Sequence, residues 1–349
     1  MEENLTEKDT RISCEPFFDT TARYLEDFPP ETVRLLDGFE DPTDEKCRAI
    51  EQFINNPSVE VCAELLRKKV GIHACMVHYS SVCVERYEYQ NIYRARTALW
   101  YACEQGNDAK TAWLLEQGAD VNFGEYINDS HGWEPVEIRS AAWAAVEGKS
   151  LDCFRLLAQT GKIKEPFTKF LSYAVDCKAL EVVRFLMEEK NVPWDESLWE
   201  EAVYSSDLMK YLIDQRHLSW GRDVWKMALS PDRTKVLAFL LERGAVVETE
   251  DLFNAVESDV SLLKFLLKHA RQDINVRNEN GQTLLFWAAR LGDEKMFEML
   301  LKAGADITLK DNQGRDVYQF TSEKSAAGRE WTEQKIARLK EAAARVQAQ

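Results

Sequence analysis

The chain has 349 residues, 45% hydrophobic and 30% charged, which is the profile of a folded, water-soluble protein. Its 60 acidic side chains outnumber 44 basic ones, giving a net charge of −16. That balance excludes nucleic acid, whose phosphates need a basic footprint, and an anionic membrane surface. No run approaches the roughly 18 apolar residues that would span a bilayer. Met1-Glu2-Glu3-Asn4 opens no signal peptide, so cytoplasm or nucleus is expected.

In chain order, residues 1–44 are expected to be an acidic, partly disordered segment. Residues 1–60 hold 16 acidic and 6 basic side chains. Within it, Phe28-Pro29-Pro30-Glu31 followed by Leu35-Leu36 resembles the opening of an F-box, which would imply docking on a ubiquitin-ligase scaffold. Residues 45–94 read as a degenerate leading repeat followed by an insertion. Arg48 to Ile54 forms its first helix and Val59 to Lys69 its second, and the insertion at 74–94 is expected to be helical.

From 95 to 318 one pattern recurs. Alanines 102, 144, 174, 202, 228, 255 and 288 lie 26 to 42 residues apart, most of them about a dozen residues before the end of an Ile/Leu/Met-rich stripe. Each repeat reads as a short first helix bearing the alanine and a longer second helix bearing a Leu-Leu pair. A larger side chain would force apart the helices crowded at the marker. Thr97 and Thr283, five residues before it, are positioned to cap first helices. Gly106, Gly148 and Gly292 are expected to end first helices, and Gly118, Gly244 and Gly304 second helices, in a conformation that side chains disfavour. Asn278-Glu279-Asn280-Gly281 and Asp311-Asn312-Gln313-Gly314 are turn sequences for projecting fingers. Spacing shrinks to 28, 26 and 27 residues between Ala174 and Ala255, so the central fingers should be short or absent. Trp199 and Trp225, three residues before their markers, belong in the core. Phe123 to Ile138 contains an extra loop with Trp133. In the last segment, 319–349, Thr332 to Gln349 reads as a capping helix. Its face is Ile336, Leu339, Ala343 and Val346, and Glu341 and Arg345 lie four apart.

These residues resemble the ankyrin repeat. Thr97-Ala98-Leu99-Trp100-Tyr101-Ala102-Cys103-Glu104-Gln105-Gly106 with Gly118-Ala119-Asp120-Val121-Asn122 carries the likeness, as do Gly281 to Gly292 and Gly304-Ala305-Asp306. The family's proline position holds Ala98 and Leu284, and its histidine position Trp100 and Phe286. The resemblance implies an all-α helical solenoid of about seven units, with a helical N-terminal extension and a C-terminal capping helix. It also implies contacts on turn residues and on the two positions before each first-helix glycine. Those are Glu104, Gln105, Val146, Glu147, Arg277, Glu279, Asn280, Gln282, Arg290 and Leu291. Trp194 and Trp220, eight residues before their markers, either point outward as binding anchors or pack under the shortened turns. Trp133 is the better exposed candidate.

No catalytic constellation is visible: Gly-x-Ser-x-Gly and His-Glu-x-x-His are both absent. Gly148-Lys149-Ser150 lacks the earlier glycine of a phosphate loop, since Trp143 stands there. His73, Cys75, His78 and Cys83 are the residue types zinc takes, but not at its usual ligand spacing, and small buried cysteines are the simpler reading. No cofactor and no metal is therefore expected. The reading that results is a monomeric, non-enzymatic interaction scaffold. Its mainly acidic strip of first helices and turn tips would take a basic or amphipathic protein partner. Two alternatives stand beside it: a ubiquitin-ligase substrate adaptor, and an accessory protein of a metabolic pathway with chemistry in residues 1–94.

Overall fold

The computed structural model describes residues 44–67, 75–85, 88–129, 137–270, 273–324 and 329–348. The chain divides into two compact units, one ending at Asp195 and the other beginning at Glu196.

The N-terminal unit opens with α1 (Asp44–Asn55) and α2 (Val59–Arg67). Three helix pairs follow: α3 (Ala98–Glu104) with α4 (Asp108–Glu116), α5 (Ala141–Glu147) with α6 (Leu151–Gln159), and α7 (Phe167–Asp176) with α8 (Leu180–Glu188). First helices stack in the order α1, α3, α5, α7, and second helices in the order α2, α4, α6, α8. The helix starts follow from local chemistry. Thr97 Oγ1 accepts from the Trp100 N–H at 3.3 Å, Asn107 Oδ1 from Lys110 at 2.9 Å and Ser150 Oγ from Cys153 at 3.4 Å. Lys110 is buried, and its ammonium donates at 2.8 Å to each of the Phe53, Ile54 and Asn56 carbonyls. It thereby satisfies the exposed carbonyl end of α1.

The insertion at 74–94 is not helical. It is β1 (Cys75–Glu85) and most of β2 (Glu88–Thr97), an antiparallel pair. β2 also pairs with β3 (Glu125–Asp129), and β3 with β4 (Glu137–Arg139), giving the order β1-β2-β3-β4. The extra segment before α5 thus contributes the strand pair β3 and β4, and the loop expected around Trp133 lies outside the described residues. Val77, Tyr79, Val82, Tyr89, Ile92 and Tyr93 suit strands and pair β1 with β2 as a hairpin, while Ile92 and Tyr93 also face a segment more than thirty residues onward. Outside the sheet, the elements are the all-α stack of helix pairs.

The C-terminal unit holds α9 (Trp199–Ala202), α10 (Ser206–Lys210) running into a π-helical turn at Tyr211–Gln215, α11 (Arg222–Ala228) and α12 (Thr234–Glu242). It continues with α13 (Thr249–Ser258), α14 (Val260–His269), α15 (Leu284–Leu291) and α16 (Glu294–Lys302), then α17 (Val317–Lys324) and α18 (Arg329–Gln347). Second helices stack from α10 through α12, α14 and α16 to α18, and α13 packs on α15, which packs on α17. Thr283 stands where Thr97 does, but its hydroxyl makes no cap. The Phe286 N–H turns instead to the Thr283 carbonyl at 3.1 Å. On α18, Leu339 and Ala343 are buried and Ile336 and Val346 half-buried. Arg345 reaches across to Glu298 at 2.6 Å rather than closing a bond with Glu341 on its own helix.

All seven marker alanines are buried, as are Trp199 and Trp225. Where central fingers are short, side chains do their work. Buried Asp251 takes Arg222 Nη2 at 2.6 Å, Trp225 Nε1 at 3.0 Å and the Glu248 N–H at 2.8 Å, which fixes the turn into α13.

Candidate interaction surface

Four of the first helices share a register set by one backbone bond. The carbonyls of Ala102, Ala145, Ala174 and Ala288 each accept from the N–H five residues on. The marker of the second repeat is therefore Ala145, one residue later than the alanine pattern suggests. Adjacent alanines made the two indistinguishable in sequence.

That shift corrects two expectations. Val146 is equivalent to Cys103 and is fully buried rather than on the surface. Gly148 is equivalent to Gln105 and has an ordinary helical φ of −73°. It is needed for space, because a Cβ there would lie 2.1 Å from the Glu104 carbonyl oxygen. The left-handed residue is Lys149 at φ 54°, followed in the next repeat by Lys178 at 57°, where Gly106 and Gly292 stand at 68° and 75°. Gly118, Gly244 and Gly304 are left-handed as expected.

Two residues past each marker, the N-terminal unit presents Glu104, Glu147 and Asp176. Glu104 is half-buried and the other two are exposed, and neighbouring Gln105 is exposed as well. The sheet supplies their surroundings. Arg96 and Arg139 flank Glu125 in register, and Glu125 is only 1% exposed. Arg96 binds Glu125 at 2.8 Å and Glu104 at 3.3 Å and lies 5.2 Å from the Trp100 ring centroid. Arg139 lies equally far over Trp143. Trp143 also meets Tyr173 at 4.8 Å and Phe170 at 5.4 Å, and its Nε1 donates to Glu165 at 3.3 Å. Burial holds the Glu104 carboxyl above its ordinary range, against the pull of Arg96 and with Glu147 and Glu125 adding. Burial likewise pushes the Tyr101 hydroxyl up to about 12, with Arg96 opposing.

In the C-terminal unit, Arg277, Glu279 and Asn280 are exposed on the finger, with Asn312 Nδ2 donating to the Glu279 carbonyl at 2.9 Å and the Asn312 N–H to the Asn280 carbonyl at 3.0 Å. Gln282 turns inward. It is 8% exposed, and its Oε1 accepts from Asn278 at 3.1 Å and Trp287 at 3.2 Å. Arg290 binds Glu257 at 2.6 Å and covers Trp287, and Leu291 is 43% exposed. Trp194 and Trp220 are half-buried. Trp133, His73 and residues 28–36 lie outside the described residues, and only the backbone of Cys75, His78 and Cys83 is described. Sequence reasoning missed Arg96, Arg139, Trp143, Tyr173 and Asp176. The signal for the first three was an arginine four residues before a tryptophan, repeated 43 residues apart.

A family model described as ankyrin repeats (3 copies) matches residues 252–311, and one described as ankyrin repeat matches 95–125. The chain is an ankyrin-repeat protein. Ankyrin repeats form a protein–protein interaction module. A probable palmitoyltransferase AKR2 of Saccharomyces uvarum is 37% identical to this ankyrin-repeat protein over 67 residues, spanning 18% of the chain and only 9% of that relative. Among solved structures, the human ASB11 ankyrin repeat domain is 18% identical with a TM-score of 0.31, covering 85% of this chain and 98% of that one. A chain from the solved complex of the Bdellovibrio bacteriovorus predatory endopeptidase Bd0816 with the immunity protein Bd3460 is 19% identical at a TM-score of 0.26, covering 70% of this chain and 96% of that one. Scores this low bear on neither mechanism nor partner. Among the described residues, no helix of the ankyrin-repeat protein is long and apolar enough to cross a membrane, and no group of three His, Cys, Asp or Glu side chains is placed to hold a metal.

Proposed function

We propose that this ankyrin-repeat protein is a non-enzymatic scaffold of the cytoplasm or nucleus that holds a protein partner against its first helices. One observation carries the reading: α3, α5 and α7 stack directly and present side chains of equivalent position, Glu104, Glu147 and Asp176, on one outward face. A rigid row of helices offers complementarity of shape and charge without needing to reorganise on binding. The reading assigns no catalytic residue. Gln105, Arg277, Glu279 and Leu291 extend the contact set, while Val146 and Gln282 leave it.

Site-specific photo-crosslinking in cells tests this. A photoreactive residue at Gln105 or Glu147 should capture a discrete protein, and the same residue at Glu116 or Glu188 on second helices should not. Capture from second-helix positions alone would sink the proposal.

A further inference from the structure

The same row of first helices carries a charge pattern that narrows the partner. In the N-terminal unit, the position two past the marker is acidic three times running, at Glu104, Glu147 and Asp176. Arg96 reaches Glu104 but holds the buried Glu125 more closely, and among the described residues no ion pair reaches Glu147 or Asp176. In the C-terminal unit the same position holds Tyr204, Ser230, Glu257 and Arg290, and its two charges answer each other, with Glu257 on α13 bonding Arg290 on α15 at 2.6 Å. Like charges on adjacent helices repel, so the acidic row is left to be neutralised from outside. Beside it lie the half-exposed rings of Trp143 and Tyr173, 4.8 Å apart between centroids. An aromatic face next to carboxylates suits a guanidinium, which stacks flat and forks two bonds, better than an ammonium. The chain itself places a guanidinium over an indole twice, at Arg96–Trp100 and Arg139–Trp143.

We propose that an extended, arginine-bearing segment of the partner lies along α3, α5 and α7, with one guanidinium between Glu104 and Glu147 and the next between Glu147 and Asp176. Stacked helices lie about 10 Å apart, which an extended chain covers in roughly three residues, so the segment carries arginine at every third position. This rests on the scaffold reading and gives its partner a chemistry.

The test measures fluorescence anisotropy of labelled peptides against the full chain at near-physiological salt. The probes are an alanine peptide with arginine at every third residue and its lysine counterpart. The arginine peptide should bind. The double reversal Glu147→Lys/Asp176→Lys, on two exposed side chains, should weaken it about tenfold or more, and the charge-matched Glu242→Lys/Glu250→Lys should change it less than about twofold. Three results would overturn the assignment: no binding of the arginine peptide, equal loss in both double variants, or a lysine peptide that binds as tightly. If a photoreactive Gln105 still captures its protein in the Glu147→Lys/Asp176→Lys chain, this inference fails while the scaffold reading survives.

Discussion

At the scale of single residues, the backbone decides which side chains can sit where. Lys149 occupies a left-handed conformation that costs an L-residue about 1 kcal/mol, while glycine takes it freely. Lys149→Gly should therefore stabilise the chain by about 0.5 kcal/mol, after allowing for the entropy glycine loses on folding, as read by urea denaturation. Gly148 beside it tolerates no Cβ, for want of room rather than for its angle. Lys110 is the opposite case, a charge placed inside because three carbonyls need a donor. Burial lowers its pKa, but the three bonds keep it useful. Lys110→Met leaves those carbonyls unpaired and should cost about 2–4 kcal/mol, seen first as faster amide exchange in α1 and α2. Cys62, Cys103 and Cys153 are buried and Cys177 half-exposed. Of these four, Cys177 should take up iodoacetamide in the native protein and the others only on unfolding, a pattern mass spectrometry would refute if Cys103 or Cys153 labelled as fast.

At the scale of elements, polar anchors replace what short fingers lack. Asp251 organises the turn into α13, and Asp251→Ala removes the partner of the Trp225 indole and the Glu248 N–H, while Arg222 keeps Glu248 at 3.1 Å and the Val246 carbonyl at 3.2 Å. The expected loss is about 3 kcal/mol in chemical denaturation, and a change under 1 kcal/mol would show the anchor to be decorative. Asp311 holds the last finger through Arg315 at 2.6 Å. Burial alone would raise its pKa, yet bonds from Arg315 and from backbone N–H groups outweigh that and leave it lowered. A carboxylate depressed on folding contributes stability above its unfolded pKa and loses it as pH falls through the folded value. Asp311→Asn should accordingly cost about 1–3 kcal/mol at neutral pH, with the gap to wild type closing by about pH 2 in thermal melts.

At the scale of the whole molecule, net charge frames the association. With −16 overall and an acidic first-helix row, binding to a cationic partner should weaken roughly tenfold between about 0.05 and 0.5 M salt. A salt-independent affinity, measured by anisotropy or calorimetry, would place the contact on the apolar residues instead.

The repeat was written in the sequence because close helix packing tolerates little besides alanine at the marker, and because Gly, Thr and Asn punctuate helix ends by local chemistry. Seven small buried residues and the Trp199 and Trp225 cores were legible for that reason. Three things required the tertiary structure. Ala144 and Ala145 are chemically identical, so only the bond from the Ser150 N–H to the Ala145 carbonyl decides the register, and with it whether Val146 or Glu147 faces outward. The strands at 75–97 pair with each other as a hairpin, but the sheet is completed only where β2 meets β3 some thirty residues later, a pairing that no local pattern reports. Lastly, whether a surface charge is already answered depends on its neighbour in the next repeat: Arg290 finds Glu257, and Glu147 finds no cation among the described residues. Periodicity reports which face a residue lies on, but the charge opposite it is a fact of stacking.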